Sequence, residues 1–404
     1  MTPLPNWCGP RACRLVAVLV IAVSHLSSVT HADENPGQTL TREILDRSLA
    51  LGREHLLSNQ KLEGNFNYQY QVLGKRFLPG DSEVRQAGAL WGLALIHQDD
   101  PTTETREAIA KGLSFFRRHS QVTEDGRRYV AYPDSPLGRT GTVALVALAL
   151  IDSLRAEGDF EGRDDLETEL DQYLAFLLSL RTAAGHFHGG YSVTDGTPQG
   201  EPSPYFDGET LLALIKAARY LDRSTLRPKI LESAATVYER WVDHALIEEA
   251  DSPLTKGFYQ WGSMSYYELY TTKWPGTEIW ADRVIDLAYW MIDVHKTLDR
   301  RRNTAYAYEG IITAWELARL TGNHEAQTKL SEVIALGLTK LTSWQIGGPL
   351  ENPFFGTRAV TDRFALGGVM NAADDPLLRI DVTQHQMHAV LLARRFLYTG
   401  SSRE

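Results

Sequence analysis

The chain has 404 residues, 43% of them hydrophobic and 23% charged, a globular balance that can bury a large core without disulfide staples. Its formal net charge of −10, with no long basic run, argues against nucleic-acid binding. Both cysteines, Cys8 and Cys13, lie in or beside an N-terminal leader, so removing that leader also removes disulfides, thiol nucleophiles and cysteine–zinc sites.

The leader comes first in the chain. Arg11 and Arg14 precede the apolar run 15–23, and Thr30-His31-Ala32 suits cleavage after Ala32. The run is short for a bilayer span. Residues 1–32 are therefore read as a signal peptide and 33–404 as a single domain. The mature protein is expected in the periplasm or outside the cell, with no membrane attachment once the leader is gone.

From residue 42 onward, two kinds of helix alternate. Amphipathic helices with one charged face are predicted at 42–59, 104–119, 166–181, 228–244, 281–298 and 326–344. In 166–181, Leu170, Tyr173, Leu174, Leu177 and Leu178 form one stripe, with Glu167, Glu169 and Asp171 off it. Between and after these come helices apolar on nearly every side and rich in Ala and Gly. They begin near Arg85, Gly141, Gly208, Ser263, Tyr306 and Val382. A helix without a polar face must be buried, and small residues let buried helices approach closely.

Six hairpins of this kind form an internal repeat. One hairpin cannot bury its own inner helix, and a linear solenoid needs polar capping repeats that neither end supplies clearly. Closing the hairpins into a ring solves the problem, so the predicted fold is all-α, an (α/α)6 toroid. The links from outer to inner helix share a Gly followed closely by an aromatic: Gly64-Asn65-Phe66, Gly126-Arg127-Arg128-Tyr129, Gly185-His186-Phe187 and Gly257-Phe258-Tyr259, with Trp344 to Gly348 as a sixth-hairpin variant. These suit turns just past a helix end.

The repeats resemble those of the terpenoid-cyclase and protein-prenyltransferase toroids and, more loosely, the six-hairpin glycosidases. The resemblance is architectural and spans roughly 42–398. No Asp-rich cyclase motif stands at an inner-helix tip, since Asp374-Asp375 falls in a loop, and the prenyltransferase cysteine and ligand set is missing.

In such a ring the inner helices run in parallel and their starts converge at one mouth. The starts are rich in polar and aromatic residues: Arg85 and Gln86; Arg139 and Thr140; Tyr205, Asp207 and Glu209; Tyr259, Trp261, Tyr266 and Tyr267; Tyr306, Tyr308 and Glu309; Asp381, Gln384, His385 and His388. Locally, Asp207 and Asp381 suit N-caps and Glu209 the helix dipole. Taken together the set exceeds what capping requires. Aromatic rings stack on pyranose faces while polar side chains hold hydroxyls. An oligo- or polysaccharide is the expected partner.

Glu209, Glu309, Asp207 and Asp381 are candidates for a carboxylate pair, with Glu209 and Glu309 preferred, and His385 joins the catalytic candidates. Glycoside hydrolysis is the leading expectation. Arg85, Arg139 and Arg363 raise the positive potential at the mouth and suit an anionic sugar. The mixture of Tyr, His and Arg resembles glucuronyl epimerase and lyase toroids, which keeps a uronate epimerase or polysaccharide lyase open. A polymer-binding scaffold and a cyclase-like enzyme are the remaining alternatives. No cofactor and no metal are expected; His385 and His388 stand three apart without a His-Glu-x-x-His motif.

Overall fold

The computed structural model describes residues 39–399. The proposed signal peptide lies outside them. The amphipathic segments form α1 (Arg42–Asn59), α3 (Thr103–Arg118), α5 (Arg163–Ser179), α7 (Arg227–Tyr238), α10 (Trp280–Asp293) and α12 (His324–Ser343). The apolar segments form α2 (Glu83–Asp99), α4 (Thr140–Ala156), α6 (Pro204–Tyr220), α9 (Pro253–Thr272), α11 (Ala305–Thr321) and α13 (Ile380–Phe396). Helix α7 continues through one π-helical stretch, Glu239–His244, into the short α8, Ala245–Glu248.

Burial explains the division. In α4 every residue from Thr140 to Leu154 is buried, whereas α3 buries one stripe that includes Ala108, Ile109, Leu113 and Phe116. The inner helices pack in the order α2, α4, α6, α9, α11, α13, and α13 returns to α2. The structure is an (α/α)6 toroid.

Three devices close the seam. Gly92 on α2 faces α13, where an added Cβ would lie 2.5 Å from Gln384 Cγ, so only glycine permits that approach. On the outside, Arg42 donates to the carbonyls of Arg394 (3.1 Å) and Tyr398 (2.9 Å), tying the first helix to the last. Strand β1 (Gln69–Gln71) pairs antiparallel with β2 (Asp375–Arg379), so the first and last links also meet.

The links differ from expectation in one place. Gly64, Gly126 and Gly185 have φ of +107°, +84° and +100°, each in a tight turn a few residues beyond its helix. Each turn has the same ladder: Lys61 N to Asn65 O, Thr123 N to Arg127 O and Thr182 N to His186 O. Gly257 is instead inside α9, which begins ten residues before Ser263. Ser252 caps it by accepting from Leu254 N, and Pro253 occupies the first turn. Ser-Pro at a helix start is the local signal of that earlier beginning. Among the described residues no helix is long and apolar enough to cross a membrane.

Candidate active site

All six inner helices contribute to a cleft of about 470 Å³ at one mouth of the ring. Arg85 and Gly88 come from α2, Leu145 from α4, and Tyr205, Phe206 and Glu209 from α6. Lys256, Gln260 and Trp261 come from α9, Tyr306 from α11, and Asp381, Gln384 and His385 from α13. The parallel inner helices produce this convergence: residues from Arg85 to His385 meet because each stands within about three turns of its helix start.

His385 is held from below. Glu309 is fully buried, and its Oε1 lies 3.2 Å from His385 Nδ1 and 3.0 Å from His388 Nδ1. Burial alone would raise the Glu309 carboxyl; the two histidines outweigh it and hold the group below its ordinary value. An ionised carboxylate only accepts, so both histidines donate Nδ1–H to it. Burial works against the charge on His385, yet Glu309 carries its pKa above the usual 6.5. With Nδ1 engaged, Nε2 is the nitrogen free for proton transfer. His388 continues inward, edge-on to Trp91 with ring centroids 5.0 Å apart, and Trp91 lies 5.6 Å from Trp261.

The cleft carboxylates are unlike each other. Glu209 is pushed well above its ordinary value by burial, and its Oε2 has no protein hydrogen-bond partner. It approaches Gly141 so closely that a Cβ there would lie 2.2 Å from Oε2. Asp381 is buried too, which alone would raise it, but Arg379 at 2.6 Å and Arg85 at 3.2 Å bring it below its ordinary value. Gln384 Nε2 is also buried without a partner. Two cleft residues thus carry buried polar atoms with unmade hydrogen bonds, each costing about 1–3 kcal/mol unless a ligand satisfies it.

Other sequence candidates stand elsewhere. Asp207 faces away from the cleft and accepts from His186 Nδ1 (2.7 Å), Phe187 N (2.8 Å) and Trp241 Nε1 (2.6 Å). It anchors the link after α5. Its helix begins at Pro204, so Asp207 is not the cap residue, which is Ser203. Asp381 likewise lies one residue inside α13, behind Arg379 as N-cap.

Tyr259 packs beside Trp290, Tyr266 stacks on Trp280, and Tyr308 meets the backbone at Gly337, all under outer helices. Tyr267 packs on Phe396, and Arg363 lies over the Phe364 ring. Arg139 lines a neighbouring lobe. A residue's position near a helix start fixes its height in the ring but not its azimuth, and these side chains point outward or sideways. Gln260, beside Trp261 in the aromatic cluster of α9, lines the cleft, as do Lys256, Asn303 and Arg379, which no sequence pattern singles out by itself. Lys256 becomes visible once the Ser252-Pro253 helix start is read. Among the described residues no three metal-ligating side chains gather as a cage.

No family model matches the chain, and no curated protein matches it. Solved structures do match in shape. A D-mannose isomerase superposes with a TM-score of 0.63 at 12% identity, covering 87% of this chain and 97% of its own. A sugar epimerase from a ruminal bacterium gives 0.60 at 10%, covering 87% and 98%. The GH76A alpha-1,6-mannanase from Salegentibacter sp. gives 0.59 at 9%, covering 88% and 99%. At these identities the likeness is one of fold, and the chain takes its place among the (α/α)6 toroids.

Proposed function

We propose that the protein is a carbohydrate-active enzyme that transfers protons on a sugar in the cleft, with the chemistry of an epimerase or isomerase. The observation that carries this reading is His385, oriented through Nδ1 by a buried carboxylate and open to the cleft. In an open-chain sugar, Nε2 of neutral His385 takes the proton from the carbon beside the carbonyl. The C–H electron pair forms the enediolate double bond, and the carbonyl oxygen becomes negative. Glu209, kept neutral by burial, donates a hydrogen bond to that oxygen, and Arg85 and Arg379 add positive potential. A proton delivered to the opposite face of the same carbon, after the open-chain sugar turns within the cleft, epimerises it; delivery to the neighbouring carbon, with the hydroxyl proton passing from one oxygen to the other through Glu209, isomerises the sugar. The isomerase and epimerase of like fold lend analogy only.

A glycosidase is the second reading. It is favoured by the contrast between a neutral Glu209 and an ionised Asp381, the asymmetry that acid-assisted hydrolysis needs. Glu309 is less suited to the pair, since it is fully buried, lies outside the cleft lining and is engaged by both histidines.

The test is incubation in D2O with D-mannose, D-glucose, cellobiose and mannobiose, followed by NMR. Deuterium entering beside the anomeric carbon, without new reducing ends, supports proton transfer. New reducing ends without exchange support hydrolysis. Neither outcome on any sugar, with binding retained, leaves a polymer-binding protein. Export belongs to the same reading, and N-terminal sequencing of secreted protein beginning at Asp33 is its check.

A further inference from the structure

Beside the cleft lies a second lobe of about 550 Å³, reached across Ser82, Val84 and Phe206, which line both. Its volume is within the usual range for a small-molecule pocket, roughly 300–1,000 Å³. The lobe is built between the starts of α2 and α4. Its polar groups differ in how far they are used. Asp81 is saturated: it accepts from Tyr132 Oη (2.7 Å), Ser82 N (2.8 Å) and Gln86 Nε2 (2.7 Å). Glu83 is not. Its residue is only 8% exposed, and Oε2 makes no formed hydrogen bond; the Thr142 hydroxyl stands near the carboxyl, itself without a formed bond. The nearest cation, Arg139, stands 4.0 Å away, beyond hydrogen-bond range, and donates to no other side chain among the described residues.

A carboxylate in the first turn of a helix is ordinarily explained by the helix dipole. That explanation fits an exposed charge. Here burial pushes the Glu83 carboxyl up to about 7 against the pull of Arg139 and of the Thr142 hydroxyl, so near neutrality the group is half protonated and the dipole gains little from it. What remains is a buried carboxyl able to donate or accept, a guanidinium with free N–H groups, and the ring of Phe206 on the ridge. Vicinal hydroxyls over an aromatic face match that combination.

We propose that this lobe is a second saccharide subsite, so that the cleft acts on a chain of at least two sugar units, the reacting unit beside His385 and the next one between Glu83, Arg139 and Phe206. The proposal rests on the reading of the cleft as a sugar site.

Calorimetric titration with D-mannose, D-glucose, mannobiose and cellobiose tests it without requiring turnover. At least one disaccharide should bind about tenfold or more tighter than its monosaccharide, as one charge-assisted hydrogen bond would give. Arg139→Ala and Glu83→Gln should each remove that gain and leave monosaccharide affinity unchanged. The Arg139 side chain is half exposed, so its loss leaves the fold intact. Equal affinity for monosaccharides and disaccharides, or a gain surviving both substitutions, overturns the subsite alone. Absence of binding by every sugar overturns the cleft reading and the subsite with it.

Discussion

Two clusters of buried charge lie on either side of Trp91, and they are finished to different degrees. On one side, Asp152 is fully buried and saturated: Trp91 Nε1 (2.8 Å) and Lys216 Nζ (2.5 Å) reach Oδ2, and Arg155 (2.8 Å) reaches Oδ1. On the other, Glu309 binds two histidines through Oε1 while its Oε2 stays unpartnered, and His385 opens to the cleft. Burial shifts groups in both clusters. Only the second keeps unused hydrogen-bonding capacity facing space that a ligand can fill. Spare capacity, more than burial or charge, marks the site.

His385→Ala is the sharpest way to break this contrast. It should reduce turnover by about 10²–10⁴-fold, the usual worth of a positioned acid–base group, while stability falls by no more than the roughly 1–3 kcal/mol of one buried hydrogen bond, since His388 still holds Glu309. Retained turnover would put the chemistry elsewhere.

Asp152→Ala should do the reverse. It leaves Lys216 buried without its partner and should cost about 3–5 kcal/mol of stability by chemical denaturation. The activity of the remaining folded molecules should persist. Equal losses of rate and stability in both variants would erase the distinction between the clusters.

A finer comparison uses one helix. Glu209→Gln should lower the rate with little change in stability, and Asp207→Asn, which weakens the anchor of His186 and Trp241, should lower stability by about 1–3 kcal/mol with little change in rate.

The smallest effect is in pH. Glu309 holds His385 above 6.5, so activity that needs neutral His385 should rise with pH through a value above 6.5. In Glu309→Gln that limb should move down, since burial then acts on His385 without the anion. For stability the signs are opposite. The raised His385 contributes below about 6.5 and is lost as pH rises through its higher folded value. The lowered Glu309 contributes above about 4.5 and is lost as pH falls through its lower folded value. An unmoved activity limb in Glu309→Gln would remove Glu309 from the role of orienting carboxylate.

The sequence by itself determined the ring. Inner helices lacking a polar face, such as α4, can be stable only inside an outer layer, and six alternations close that layer; helix periodicity is a local property read directly from residue order. It also determined that Glu209, Glu309 and His385 stand at comparable heights. Only the tertiary structure decided which side chains face the axis. Asp207 and Glu209 are two residues apart, roughly 200° around the helix, so one meets Trp241 outside and the other the cleft. Likewise Asp152, Lys216 and Trp91 look like stray polar and aromatic residues in apolar helices until the ring brings them together. Their partners lie more than sixty residues away, and no local pattern encodes a hydrogen bond at that distance.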